Sequence, residues 1–437
     1  MFDWFTELTK REKRTFWACL GGWSVDAMDT QMYPLAIPAL IALWGMTKGQ
    51  AGILATAVLI VAAIGGWMAG VLADRIGRVR VLQLTILWFA AFTFLSGFTQ
   101  SFWQLLLTRS LQGLGFGGEW AAGAVLLSET IQPRVRGRVV GAIQAGWAFG
   151  YGFAVLLATG LFTWLPQAYA WRALFFTGLL PALAVLWIRR SVEESQVYLD
   201  AQKDRKKALQ SGETNLWDIF RREHIVTTMK AMMLTSGIYG GNYVMITWLP
   251  AYLRLVWHLS ILTTGGYLAI NILGSFVGAF VNGYLADWVG RRKTFILCAF
   301  CQAATVAVYT LLPITANLTL MLGFVLGCMQ SGMAGGTGAY LSELFPTRIR
   351  GTAQGFCGNA GRAFGALMPT IVGIASASMA LGPAMGICAL SAYVLVVIAA
   401  LSLPETRGRD LRTLDEAYAS ASQPVAAKST AAERGSR

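Results

Sequence analysis

Apolar runs, each about 20 residues long and separated by short polar stretches, set the rhythm of the chain. They fall at approximately 16–41, 51–73, 81–99, 102–128, 139–164, 171–188, 226–253, 262–286, 294–313, 317–341, 352–377 and 380–403. A helix rises 1.5 Å per residue, so about 20 apolar residues cross a hydrocarbon core of about 30 Å. The pattern predicts twelve membrane-spanning helices. An even number returns the carboxyl end to the side from which the amino end entered. The longest polar stretch between runs divides the helices six and six. The expected organisation is a six-helix bundle over 1–188, a linker over 189–225, a second six-helix bundle over 226–404, and a polar Ala/Ser-rich tail over 405–437 whose composition predicts disorder.

Composition agrees with an all-α integral membrane protein. Of 437 residues, 55% are hydrophobic and 13% charged, about half the charged share of a soluble domain. The net charge of +13 would by itself suggest nucleic acid. Its distribution says otherwise, because 30 of the 35 Lys and Arg fall on the terminal side of the spans, and only Lys48, Arg172 and Arg254 on the other. The positive-inside rule then predicts cytoplasmic termini and a multi-pass protein of the inner (plasma) membrane, and it absorbs the basic charge, leaving no independent support for a nucleic-acid partner. The first run reads as a span and not a cleavable signal peptide: it holds Asp26 and Asp29, exceeds the length of a signal core and lacks a small-residue cleavage site. The six Cys lie in or beside apolar runs and read as packing residues, with no disulfide or metal role.

The halves repeat. Gly70-Val-Leu-Ala-Asp74-Arg75-Ile-Gly77-Arg78 follows run 2, and Gly283-Tyr-Leu-Ala-Asp287-Trp-Val-Gly290-Arg291 follows run 8, at an offset of 213. Leu127-Ser-Glu129 with Arg136-Gly137 matches Leu341-Ser-Glu343 with Arg350-Gly351, at an offset of 214. Two unrelated patterns at nearly one offset predict parallel, pseudo-symmetric repeats. At these residues the chain resembles the major facilitator superfamily. Arg109-Ser-Leu-Gln112-Gly113-Leu-Gly115-Phe-Gly117-Gly118-Glu119, Asp26-Ala-Met-Asp29, Gly338-Ala-Tyr-Leu-Ser-Glu343-Leu-Phe-Pro346 and Pro404-Glu405-Thr406-Arg407-Gly408 look like the proton-coupled organic-acid symporters of the sialate/lactate and aromatic-acid groups. The resemblance implies transport by alternating access. It also implies gate contacts at the cytoplasmic face, with Asp74, Arg75, Arg78, Glu129 and Arg136 in the first half and Asp287, Arg291, Glu343 and Arg350 in the second.

Five charges fall inside the hydrocarbon region: Asp26, Asp29, Glu119, Arg109 and Arg362. A charge at the bilayer centre costs at least about 2.5–3.5 kcal/mol, so each needs a partner, a water-filled cavity or a proton. Counted from the nearest cytoplasmic charge, Asp26 and Arg362 lie roughly 18 Å deep and Glu119 roughly 15 Å, near the midplane. Asp26 and Asp29 are three apart and share a helical face, where two carboxylates would hold one proton between them. They and Glu119 are either structural polar contacts or proton-coupling groups. Arg109 is an ion-pair strut, with Asp29 a possible partner on another span, or part of the proton relay. Arg362 has no carboxylate at its depth in runs 7 to 12; its planar fork suits a substrate carboxylate, with pairing to a first-half Asp across the cavity as the alternative. Asn359, Tyr239, Asn242, Tyr243, Gln144, Tyr151, Asn271 and Gln330 are further candidates for the binding cavity, with helix packing or lipid contact as the alternative for the aromatic ones.

The sequence therefore predicts proton-coupled import of a small organic anion, a monocarboxylate for preference, by a monomer in contact with membrane lipids, using protons as coupling ion and no cofactor or metal. A sugar or other neutral-metabolite symporter, or an exporter of the same fold, is the alternative. Enzymatic activity is not expected, because neither His224 nor His258 reaches the midplane to serve a hydrolytic dyad.

Overall fold

The computed structural model describes residues 3–131, 139, 142–180 and 219–407. Among them the chain forms helices and no strands. After a short α1 (Asp3–Thr6), the first half comprises α2 (Lys10–Trp44), α3 (Lys48–Ile76), α4 (Arg78–Ser96), α5 (Phe102–Thr130), α6 (Gly146–Trp164) and α7 (Gln167–Phe176), which continues as a 3-10 turn, Thr177–Leu179. The second half comprises α8 (Ile225–Leu255), α9 (Ile261–Val289), α10 (Arg291–Leu311), α11 (Ala316–Leu344), α12 (Thr347–Gly365) with α13 (Met368–Ala375), and α14 (Leu381–Ser402). Twelve spans result, the eleventh being made of α12 and α13 together. Most of the expected linker, and the tail beyond Arg407, lie outside the described residues.

Local chemistry sets the helix ends. Thr9 and Thr47 form capping boxes with Glu12 and Gln50, so α2 starts six residues before the apolar run that predicted it. Gly77 and Gly290, at equivalent points of the repeat, have φ of 107° and 111°, a conformation that only glycine adopts without strain. Each turns the chain within one residue from one span into the next. The eleventh span is not the single helix expected. Pro369 cannot donate to the preceding turn, and the helix breaks at Ala366–Leu367. Thr56 Oγ1 donates to the buried Ala366 carbonyl at 2.6 Å, and Trp248 Nε1 to the Pro369 carbonyl at 3.1 Å.

Seven described helices are long and apolar enough to span a membrane by length and composition alone. The remaining spans, α2, α5, α7, α8 and α12–α13, are shorter or carry the intramembrane polar residues. Packing repeats between the halves. The second span packs on the fourth (α3 on α5) as the eighth does on the tenth (α9 on α11), and the first on the fifth (α2 on α6) as the seventh on the eleventh (α8 on α12). The halves meet along two seams, α3 with α13 and α6 with α9, with α2 against α8 between them. A two-fold exchange of halves converts either seam into the other. The architecture is that of two pseudo-symmetric six-helix bundles.

The seams are closed toward the face opposite the termini. A Cβ at Gly52 would fall on the Pro369 carbonyl and within 2.8 Å of Thr370 Cα, and one at Gly265 within 2.6 Å of Thr159 Oγ1. Thr370 Oγ1 donates to Thr56 Oγ1 across the first seam at 2.7 Å. All six cysteines are free, including Cys298 and Cys301, whose C-x-x-C spacing lies within α10.

Candidate functional site: a polar cavity between the halves

A cavity of about 170 Å³ lies between the halves near mid-span. Trp23, Thr30, Tyr33 and Pro34 of α2, Arg109 and Phe116 of α5, and Gln144, Trp147 and Tyr151 in and before α6 line it from one side. Tyr239, Asn242, Tyr243 and Thr247 of α8, Asn271 and Ser275 of α9, Gln330 of α11 and Arg362 of α12 line it from the other.

The glycines of α8 explain how the tyrosines reach it. A Cβ at Gly237 would meet Val396 at 2.8 Å and one at Gly241 the Tyr393 ring at 2.5 Å, so this face is pressed against α14. Tyr239 and Tyr243, four apart, occupy a different face and stack at 5.8 Å between ring centroids. The Arg362 guanidinium lies over the Tyr239 ring at 5.0 Å. Arg362 stands in the last turn of α12, just before the Pro369 break, where unpaired carbonyls give the helix end a negative potential suited to a cation. Asp26, in α2 of the other half, adds a negative charge that acts on it electrostatically.

Amides fill out the wall. Gln330 Nε2 donates to the Asn242 carbonyl at 3.3 Å and Asn271 Nδ2 to the Gly323 carbonyl at 3.0 Å. Asn242 Oδ1 is buried with no protein partner among the described residues. Asn359 stands apart from this group. It lies three residues, or about 60° of azimuth, from Arg362; its Nδ2 donates to the Gly355 carbonyl at 3.0 Å and its oxygen faces Gly66 of α3. The sequence count placed its depth, and the helix rotation turns it toward α3 and away from the cavity-lining set.

In the first half, Asp29 Oδ2 lies 3.6 Å from Arg109 Nη1, both side chains almost wholly buried. Gln112 Nε2 donates to the same carboxylate oxygen. The Arg109 guanidinium also faces the rings of Phe175 at 5.4 Å and Tyr33 at 6.0 Å. Arg109 lines the cavity and Asp29 does not, so the arginine joins a carboxylate sealed in the bundle to the cavity. Asp26 and Asp29 are each 0% exposed, and Asp29 is the one paired with Arg109. Gln112 went unread as a partner in the sequence, although its place three residues after Arg109 on one helical face was the available signal.

A second cluster stands at the face carrying the termini. Arg291 Nη2 lies 3.4 Å from Glu343 Oε1, and Thr406 Oγ1 donates to Glu343 Oε2 at 2.6 Å. Glu405 Oε1 accepts from the backbone N–H groups of Arg291 at 2.8 Å, Thr406 at 3.0 Å and Arg407 at 3.2 Å. Burial alone would raise the Glu405 carboxyl, but these bonds hold it below its ordinary value. The Pro404-Glu-Thr-Arg motif thus clamps the start of α10 to the end of α11. The sequence showed the motif without its partners. The side chains of Asp74, Arg75, Arg78, Glu119, Glu129, Asp287 and Arg350, and the whole of Arg136, lie outside the described residues. No group of three or more metal-ligating side chains occurs among the described residues.

The family profile described as Major Facilitator Superfamily matches residues 20–369 and 272–429. The chain is 43% identical to a probable 4-methylmuconolactone transporter of Cupriavidus pinatubonensis, over 98% of this chain and 100% of the relative. It is 29% identical to the cis,cis-muconate transport protein of Acinetobacter baylyi, over 87% and 92% of the two chains. Among solved structures, the proton:xylose symporter XylE bound to 6-bromo-6-deoxy-D-glucose superposes with a TM-score of 0.71 at 19% identity, covering 92% of this chain and 99% of that one. That likeness is one of fold. With its repeated halves, paired seams and central cavity, the chain is a multi-pass membrane transporter, not an enzyme, and it belongs to the Major Facilitator Superfamily.

Proposed function

We propose that the protein imports a small organic monocarboxylate together with at least one proton, from a membrane orientation with both termini in the cytoplasm. The observation that carries this reading is Arg362, a guanidinium at the cavity wall over the Tyr239 ring, on a half whose spans hold no carboxylate at that depth. A carboxylate is the ligand that its planar fork fits. The stacked Tyr239 and Tyr243 favour a flat, unsaturated body beside it, and Asn242, Gln330, Gln144 and Asn271 supply neutral donors and acceptors for a second polar group. Muconolactones have this composition, one free carboxylate and one lactone ring. The names of the two relatives favour a small unsaturated organic acid, a lactone monocarboxylate in the first and a dicarboxylate in the second.

Coupling follows from charge. Without ligands, the negative charges of Asp26 and Asp29 balance the positive charges of Arg362 and Arg109. An arriving carboxylate on Arg362 adds one negative charge to a low-dielectric site that also holds Asp26, and a proton taken up there neutralises the excess most cheaply. Substrate and proton together give a neutral assembly able to occlude; either alone leaves a buried charge that resists closure. In proteoliposomes, an inward proton gradient is expected to drive accumulation of a labelled muconolactone or related monocarboxylate, and a protonophore to abolish it. Equal uptake with and without the gradient contradicts the coupling, and a panel in which only neutral sugars move contradicts the substrate class.

A further inference from the structure

The outer surface carries a charge pattern that the central site does not use. All 22 acidic residues fall in segments on the terminal side of the spans or at positions 26, 29 and 119. The opposite face therefore holds no carboxylate in any of its loops, only Lys48, Arg172, Arg254 and His258. Arg172 is occupied, donating to the carbonyls of Gly97 at 2.8 Å and Thr99 at 2.7 Å and lying on the Trp171 ring at 4.3 Å.

The other two cations sit at the seams. Lys48 opens α3, and its carbonyl lies against Gly373 of α13, at the outer end of the first seam. Arg254, in the last turn of α8, borders a small cavity with Thr159 and Phe162 of α6 and Thr264 and Gly265 of α9, at the outer end of the second seam. Its guanidinium rests 5.8 Å from the Phe162 ring of the opposite half. Both side chains are partly exposed. The seams that must part to open the cavity outward are thus each bordered by a cation, and no acidic group on that face competes for them.

We propose that Lys48 and Arg254, each at the outer end of its own seam, attract the carboxylate of the transported anion before it reaches Arg362. This rests on the organic-anion reading above. In the closed state the Phe162 ring holds the Arg254 guanidinium at the seam; when the seam parts, the guanidinium is released beside the arriving anion. Uncompensated positive charge on a low-dielectric rim raises the local anion concentration and the association rate, by about tenfold or more at low salt, and the gain is screened as ionic strength rises.

The test is sided transport of labelled 4-methylmuconolactone by wild type, Arg254→Gln and Lys48→Gln/Arg254→Gln in proteoliposomes of fixed orientation. From the outer side, KM is expected to rise several-fold in the variants with kcat unchanged, and its dependence on salt, steep in wild type, to flatten. From the side of the termini, KM is expected to stay at the wild-type value. Arg254→Lys should restore most of the outer-side KM. Variants with the wild-type KM and salt dependence would overturn the proposal. A KM raised equally from both sides would place Arg254 in the support of the fold, and also overturn it. Failure of wild type to transport any carboxylate would instead refute the organic-anion reading on which the site depends.

Discussion

Neutralising the pair Asp29 and Arg109 one partner at a time, and then together, tests whether they form one electrostatic unit. At a separation of 3.6 Å and an effective dielectric of about 20, their attraction is about 4–5 kcal/mol. Removing one partner of a buried pair generally costs about 3–5 kcal/mol, because the other charge stays buried alone. The two single variants should differ here. Arg109→Gln strands Asp29, which has no cavity exposure, and should cost about 3–5 kcal/mol. Asp29→Asn leaves a cation that borders the cavity and can be hydrated there, so its cost should be smaller. The Gln112 amide can still donate to the asparagine carbonyl. The double variant Asp29→Asn/Arg109→Gln has no stranded charge and should recover most of the loss, to within about 1–2 kcal/mol of wild type. Unfolding free energies in mixed micelles measure all four corners of the cycle. Additive costs, with the double variant as unstable as the sum of the singles, would refute the pairing.

Three further outcomes follow from the same geometry. Gly52→Leu places side-chain atoms on the Pro369 carbonyl and so obstructs the outer seam; labelling of cysteines introduced beside the cavity should rise from the outer side, and unchanged labelling would show that the seam tolerates the wedge. Glu405 is held below its ordinary value of 4.5, so its contribution to stability is present above that pH and lost as pH falls through its lower folded value. The stability difference between wild type and Glu405→Gln should thus be full at pH 7 and shrink below pH 4.5, and a difference that persists undiminished through that range would exclude the carboxylate clamp. Tyr239→Leu removes the ring beneath Arg362 and should weaken binding of flat unsaturated acids more than that of saturated acids of similar size; equal losses would argue against stacking.

The spans and the repeat were legible because hydropathy has to hold along the whole of every helix, and because Gly77 and Gly290 need the same unusual backbone in both halves. Depth was legible too, since counting residues along a helix brings Arg362 to mid-span. Azimuth was not, and of the partners only the pairing of Asp29 with Arg109 was. Asn359 shares the level of the cavity but points at α3, and Asp29 takes a second donor, Gln112, from the same span as Arg109. Such facts depend on helix rotation and on neighbours distant in sequence. The break at Pro369 was open to prediction from the proline itself, but its satisfaction by Thr56, 310 residues away in the chain, was not. Glu405 shows the same limit: the motif is local, whereas the helix start that it caps belongs to another span.

The measurement closest to the central claim is equilibrium binding of a radiolabelled monocarboxylate such as 4-methylmuconolactone to purified wild type and Arg362→Gln. Loss of a charge-assisted contact of about 1.5–3 kcal/mol predicts a Kd raised about 10- to 150-fold. Wild-type affinity in Arg362→Gln would show that the carboxylate binds elsewhere and would contradict the account.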